Sequence, residues 1–437
     1  MKLNRKIPPK ITLSEDVDFL QAETEQLSNG MLLHKIERSY PEVMRLQLVF
    51  PAGRVHQSKA LVAEAANQLL VEGTKNRTES EIAELIENKG AFIDCELDAD
   101  TAWITLYCLN GKQHLKKVEE LLLLLKEIAF EADFPEKQFL QYKRLKQQEF
   151  SVDAQKVAFL AKNNFSPFLL GENHPYVNHL QMKDFAALQR EDVLNFYRDN
   201  YLHAIPELFL AGHISSELLA LIDQLFGQIH LQKSSKEKNQ KAVFTKNAVK
   251  ESSREKCIPL ENAMQSAIRM GKLCVGKQHP DFIPLFVANA ILGGYFGSRL
   301  MSNIREDKGY TYGIGSALIV HREMAYFVLA TEVGAELSQK TLQEIGVELR
   351  KMSEELVEEN ELRLVKNYLR GNLLRSFDGA FAAMDRFRSL RKLNLDEGFY
   401  TDLFQGIKAV NAEQIRQISQ KYLAENEMKV VVVGKKM

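Results

Sequence analysis

Residues 293–316 read GGYFGSRLMSNIREDKGYTYGIGS. In 24 positions they hold a glycine-bearing turn, a short amphipathic helix carrying Leu300 and Ile304, and a Gly-Tyr-Thr-Tyr-Gly entry into a strand. Arg305 falls near the end of that helix, and Tyr312 lies seven residues further on, inside the strand. A cation and a phenol on adjoining elements can converge on one acceptor, such as a substrate carbonyl. Each also has a plainer use. An arginine in a last helical turn complements the helix dipole, and tyrosine is an ordinary strand residue. The rest of the chain decides between these readings.

Working outward, the order of elements repeats. Ala66-Asn67-x-Leu-Leu70 answers Ala288-Asn289-x-Ile-Leu292, and the closing strand Leu208–Gly212 answers Val430–Gly434, both at a spacing of 222 residues (288 − 66 and 434 − 212). Tyr201-Leu202 answers Tyr422-Leu423 at 221 (422 − 201), and Lys89-Gly90 answers Lys308-Gly309 at 219 (308 − 89). A period this long implies two domains, not a solenoid. In the first half, strands are expected at 31–36, 44–50, 92–97, 101–109 and 208–212, behind an irregular arm over residues 1–30. Helices are expected at 58–71, 114–130, 135–150, 153–165, 191–201 and 216–226. Thr78-Glu-Ser-Glu81 is a capping box that opens another, ending at Gly90. Each half mixes antiparallel strands with helices, so the fold class is α+β with two homologous domains, 1–232 and 257–437. Between them, residues 233–256 hold eight basic and three acidic residues. They read as a solvated tether or a charged surface helix, either of which leaves the halves free to hinge.

Composition narrows the class. The 437 residues are 45% hydrophobic and 26% charged with a net charge of −1, as in an ordinary soluble protein without a basic surplus for nucleic acid. The longest strongly apolar run, Leu121–Leu125, is too short to span a bilayer. The start MKLNRKIPPKITLSED has no apolar stretch behind its basic residues, and the four cysteines show no CxxC spacing. A cytoplasmic protein is expected.

Two homologous α+β halves, a charged tether, the GENHPY loop at Gly171–Tyr176 and the pair Arg305/Tyr312 in Ser298-Arg-Leu…Ile304-Arg-Glu-Asp-Lys-Gly-Tyr-Thr-Tyr312 together resemble the pitrilysin/insulinase family. These are the inverted-zincin metallopeptidases, which include small bacterial members and the mitochondrial processing peptidase. The resemblance covers essentially the whole chain. It implies that Arg305 and Tyr312 hold the substrate backbone beside the metal.

The same resemblance puts a zinc motif, H-x-x-E-H, on the helix that ends at Gly73-Thr74. Here the three key positions read Glu64, Asn67 and Gln68. Both histidines are missing, and an amide at Asn67 cannot take a proton from a metal-bound water. The third ligand implied by the family falls in Leu140–Gln148, LQYKRLKQQ, which holds no carboxylate; Glu149 lies just past it. No two of the ten histidines stand three or four apart, so no helix pairs them for a metal. Glu64 reads more simply as a helix carboxylate paired to a lysine. Zinc lowers the pKa of bound water by about nine units, and nothing in Arg305 or Tyr312 replaces that.

The expectation is therefore a catalytically inactive, peptide-binding subunit that binds no metal itself. It would supply Arg305 and Tyr312 to a homologous subunit bearing H-x-x-E-H and zinc, or self-associate. Its substrate would be a peptide or unfolded polypeptide. The alternatives are a non-catalytic scaffold of the same fold, and an active zinc endopeptidase with an unrecognised site.

Overall fold

The computed structural model describes residues 19–230 and 253–435. The tether expected over 233–256 lies outside the described residues except for its last four positions. The first half builds a six-stranded sheet from β1 (Glu23–Gln26), β2 (Leu32–Glu37), β3 (Val43–Phe50), β4 (Phe92–Leu97), β5 (Ala102–Leu109) and β6 (Glu207–Gly212). Their order is β1-β2-β6-β3-β5-β4. The second half builds five strands, β7 (Glu255–Pro259), β8 (Gln265–Cys274), β9 (Thr311–Val320), β10 (Ala325–Gly334) and β11 (Lys429–Gly434), in the order β7-β11-β8-β10-β9. Without β1 the two orders match strand for strand. Each also has one parallel pair at the same place, β2 with β6 and β7 with β11, the rest being antiparallel. The α+β duplication read from the sequence is the architecture observed.

Local chemistry explains most boundaries. Thr78 caps its helix through the Glu81 amide while the Glu81 carboxylate takes the Thr78 amide at 2.8 Å, and Gly90 ends that helix in a left-handed turn. Two expectations need correction. The arm over residues 1–30 is not irregular throughout, because Glu23–Gln26 pairs with β2. The helix expected over 153–165 spans Val157–Leu170 and runs through Pro167. Proline cannot donate to the carbonyl of Asn163, and the His179 ring takes that place, its Nδ1–H donating to Asn163 O at 2.8 Å. His179 is thus a structural residue.

Each sheet has its own helices on one face and a helix of the other half on the opposite face. Val157–Leu170 crosses over to β8 and β11, where Val157, Ala161, Phe165 and Leu169 are buried with Ala267, Val328, Val431 and Val433. Gly379–Leu393 returns the exchange, burying Ala380, Ala383, Met384 and Phe387 against Ile36, Phe209 and Ala211. The first residues of the two helices are 222 apart (379 − 157), the spacing of the repeat itself. The exchange is therefore pseudo-symmetric. It also explains a strand that alternation alone misreads: Arg45 and Gln47 on β3 point away from their own core yet are buried. Arg45 donates to Asp385 at 3.0 Å and to the Phe381 carbonyl at 2.9 Å. Lys392 reaches Asp98 at 2.7 Å and Arg391 reaches Glu207 at 3.0 Å. The halves are locked, not hinged.

The GENHPY loop closes the same junction. Tyr176 donates its hydroxyl to Asp100 at 2.6 Å and stacks on His321, with centroids 4.4 Å apart. The Arg322 amide donates to the second Asp100 oxygen at 3.3 Å. Burial depresses the pKa of His56, against an opposing hydrogen bond to the Asp100 backbone, and burial likewise depresses His321. The unfolded chain then binds protons at these sites more readily than the folded one. Stability is full above the ordinary histidine value near 6.5 and falls as pH drops below it. Urea midpoints should be lower at pH 5.5 than at pH 7.5, and a His56→Asn/His321→Asn chain should lose part of that slope.

Candidate functional site

Arg305 sits on the turn Met301–Asp307, which is wound as a π-helix, a form that recurs at functional sites. The turn is anchored from behind. Arg299 forms a two-pronged pair with Glu361 at 2.9 and 2.7 Å, and Asn303 donates to Glu348 at 2.7 Å. It stops at Gly309, whose φ of +64° only glycine adopts freely, and the Tyr310 amide closes back on Ile304 O at 2.9 Å. Gly293 is held so close to β9 that a Cβ there would meet the Ser316 amide at 2.8 Å.

The chain then enters β9, the edge strand, through a bulge. Thr331 pairs with Ile314 but Val333 pairs with Thr311, so Tyr312 and Gly313 together face Glu332. The Thr311 hydroxyl pins this bulge, donating towards Glu332 O at 2.6 Å and accepting from the Gly313 amide at 3.1 Å. The result is a tyrosine turned outward, 93% exposed. The Arg305 guanidinium lies over the Tyr312 ring at 5.6 Å and over the exposed Phe296 ring at 4.6 Å. Among the described residues Arg305 has no carboxylate partner, so its N–H donors are uncommitted. Next to Phe296, Tyr295 packs at a tilt against Tyr368, with centroids 4.9 Å apart. Arg305 and Tyr312 are brought together as their spacing implied. Phe296 was not foreseen, although the GGYFG turn carries it in plain view.

The degenerate metal positions lie on the helix Val62–Gln68 in the first half. Glu64 and Gln68 share its outer face, with Gln68 Nε2 3.4 Å from Glu64 Oε1. Asn67 is elsewhere: fully buried, it donates to the Tyr201 hydroxyl at 3.2 Å. Across from Glu64, on the helix Glu136–Asp153, Lys146 Nζ stands 3.2 Å from Glu64 and 3.2 Å from Glu149. Glu149 thus does reach this corner, through the lysine. Burial alone would lower the Lys146 pKa, but the two carboxylates outweigh it and the value is raised. Tyr142, one turn before Lys146, is buried with its hydroxyl unpartnered, and desolvation raises its pKa.

A zinc ion does not fit these residues. The positions offer two carboxylates and an amide, the carboxylates already bridged by an ammonium, and lack the imidazole or thiolate that zinc centres ordinarily include. Among the described residues no group of three or more His, Cys, Asp or Glu side chains could hold a metal.

Residues 187–369 match the family described as the peptidase M16 inactive domain. That match covers about two-fifths of the chain, and the first half lacks the H-x-x-E-H motif. An uncharacterised zinc protease, YmxG of Bacillus subtilis, is 20% identical to this chain over 84% of its length and 86% of the relative's. A probable mitochondrial-processing peptidase subunit beta of Schizosaccharomyces pombe is 24% identical over 63% of this chain and 59% of its own. The crystal structure of a peptidase M16 inactive domain from Pseudomonas fluorescens superposes with a TM-score of 0.81 at 21% identity, covering 96% of this chain and 99% of that one. Among the described residues no helix is long and apolar enough to cross a membrane.

Proposed function

We propose that this chain is the peptide-gripping, non-hydrolytic subunit of a two-chain M16 peptidase. Its partner would be a homologous subunit that carries H-x-x-E-H and the zinc. The observation that carries this reading is the uncommitted guanidinium of Arg305, held between Phe296 and Tyr312 beside an exposed sheet edge. The half-buried guanidinium is positioned by two rings while its N–H donors stay free, and those donors suit a carbonyl oxygen. A peptide added to the edge of β9 as a further strand would bring its backbone to this point. Donors placed there help most when negative charge develops on that oxygen in the transition state. The unfit metal corner around Glu64 supports assigning hydrolysis to the partner. Four cysteines, none in a disulfide, support a cytoplasmic setting.

The test is reconstitution. An H-x-x-E-H protein should co-purify with the chain, and the pair should cleave peptides where the chain by itself does not. Arg305→Ala should lower kcat/KM of the pair about 100-fold, the loss typical of a transition-state donor, with Tyr312→Phe also lowering it. Both variants should still form the pair on gel filtration. Unchanged turnover in both would return the chain to a scaffold role.

A further inference from the structure

We infer that the Lys146 ammonium is the resident cation of the corner formed by Glu64, Gln68 and Glu149, and that it keeps a divalent metal out of a site whose oxygen ligands are otherwise in place. The helix Val62–Gln68 presents Glu64 and Gln68 one turn apart on one face. The helix Glu136–Asp153 brings Lys146 and Glu149 to them, also one turn apart. Nζ bridges the two carboxylates at equal distances of 3.2 Å, in the space a metal bound by both would take.

A second observation points the same way. The Tyr142 ring lies 5.9 Å from Nζ, and its buried hydroxyl finds no hydrogen-bond partner among the described residues. Buried phenols ordinarily satisfy that group. Here it is left free, within reach of the charges of Glu64 and Glu149.

A positive charge within contact distance of both carboxylates must leave before a dication can bind the same oxygens. With that charge removed, the corner offers two carboxylates and an amide oxygen. Such an all-oxygen set favours hard cations, Mn²⁺ or Ca²⁺, over zinc. The inference concerns this chain by itself and holds whether or not the partner reading does.

The experiment uses the full chain and its Lys146→Met variant, which keeps the aliphatic stem and drops the charge. Both are titrated with MnCl2, CaCl2 and ZnCl2 by calorimetry and by thermal shift. The natural chain should show no saturable binding. Lys146→Met should gain one site for Mn²⁺ or Ca²⁺, with a Kd of roughly 0.1–1 mM as in weak oxygen-ligand sites. Adding Glu64→Gln should abolish it, and Lys146→Glu in place of Lys146→Met should tighten it at least tenfold. If the charge-free variant loses its native circular dichroism, Mn²⁺ should restore the spectrum. The inference falls if the natural chain binds the ion as well as Lys146→Met does. It falls equally if neither Lys146→Met nor Lys146→Glu gains an ion, or if Mn²⁺ fails to rescue an unfolded variant.

Discussion

Cut near residue 240 and expressed separately, the two halves should each fail to fold, and co-expression should restore a 1:1 complex with the native melt. The reason is the exchange of helices. Removing Gly379–Leu393 strips the cover from Ile36 and Phe209, and exposes Met384 and Phe387 on the other fragment. At roughly 1.5–3 kcal/mol for each large apolar side chain, those four amount to about 6–12 kcal/mol. The whole stability of a domain is only about 5–15 kcal/mol. The second shared layer, with Phe165, Leu169 and Val431, is lost at the same cut. Arg45 would also lose Asp385 and the Phe381 carbonyl, leaving a guanidinium against an apolar sheet. Single fragments should bind a hydrophobic dye and melt without cooperativity, while the co-expressed pair should not. A first-half fragment with a cooperative native melt would contradict the exchange as the source of stability.

The duplication was legible in the sequence because it rests on local signals that survive divergence. Both halves stop a helix with Lys-Gly, and both glycines are left-handed, φ +63° at Gly90 and +64° at Gly309. The exchange of helices was not legible. Periodicity reports that a helix has an apolar face, never which sheet covers it, and a free tether between the halves suggested a hinge. Pro167 concealed the length of Val157–Leu170, since the side chain that replaces its missing donor, His179, comes from a separate loop.

The site divides in the same way. Arg305 and Tyr312 were found because their elements adjoin in sequence. The bulge that turns Tyr312 outward depends on Thr311 meeting the opposite strand, so no spacing rule reveals it. The lysine expected to pair with Glu64 is Lys146, which lies inside the window where the third ligand is implied. Phe296 lay within a turn read only for its glycines.

Restoring the general base by Asn67→Glu should destabilise the chain severely and increasingly with pH, without conferring metal binding. Asn67 is fully buried, its amide donating to the Tyr201 hydroxyl while Oδ1 has no partner. A carboxyl introduced there meets one phenol and no cation, so its folded pKa is raised. Desolvation of a fully buried acid raises it by about 3 units, or about 4 kcal/mol at 1.36 per unit. For a raised acid the penalty is absent below the ordinary glutamate value near 4.3 and grows as pH climbs through the folded value. Denaturation at pH 5 should therefore show a modest packing loss, and at pH 8 most of the full effect. Asn67→Gln has the same bulk without the charge and should show only the packing loss, at both pH values. If the two variants melt alike at pH 8, position 67 is open to solvent or to a cation, contrary to its place beside Tyr201. Because the side chain at 67 turns inward while Glu64 and Gln68 turn outward to Lys146, putting the motif's glutamate back cannot by itself rebuild a hydrolytic centre on this helix.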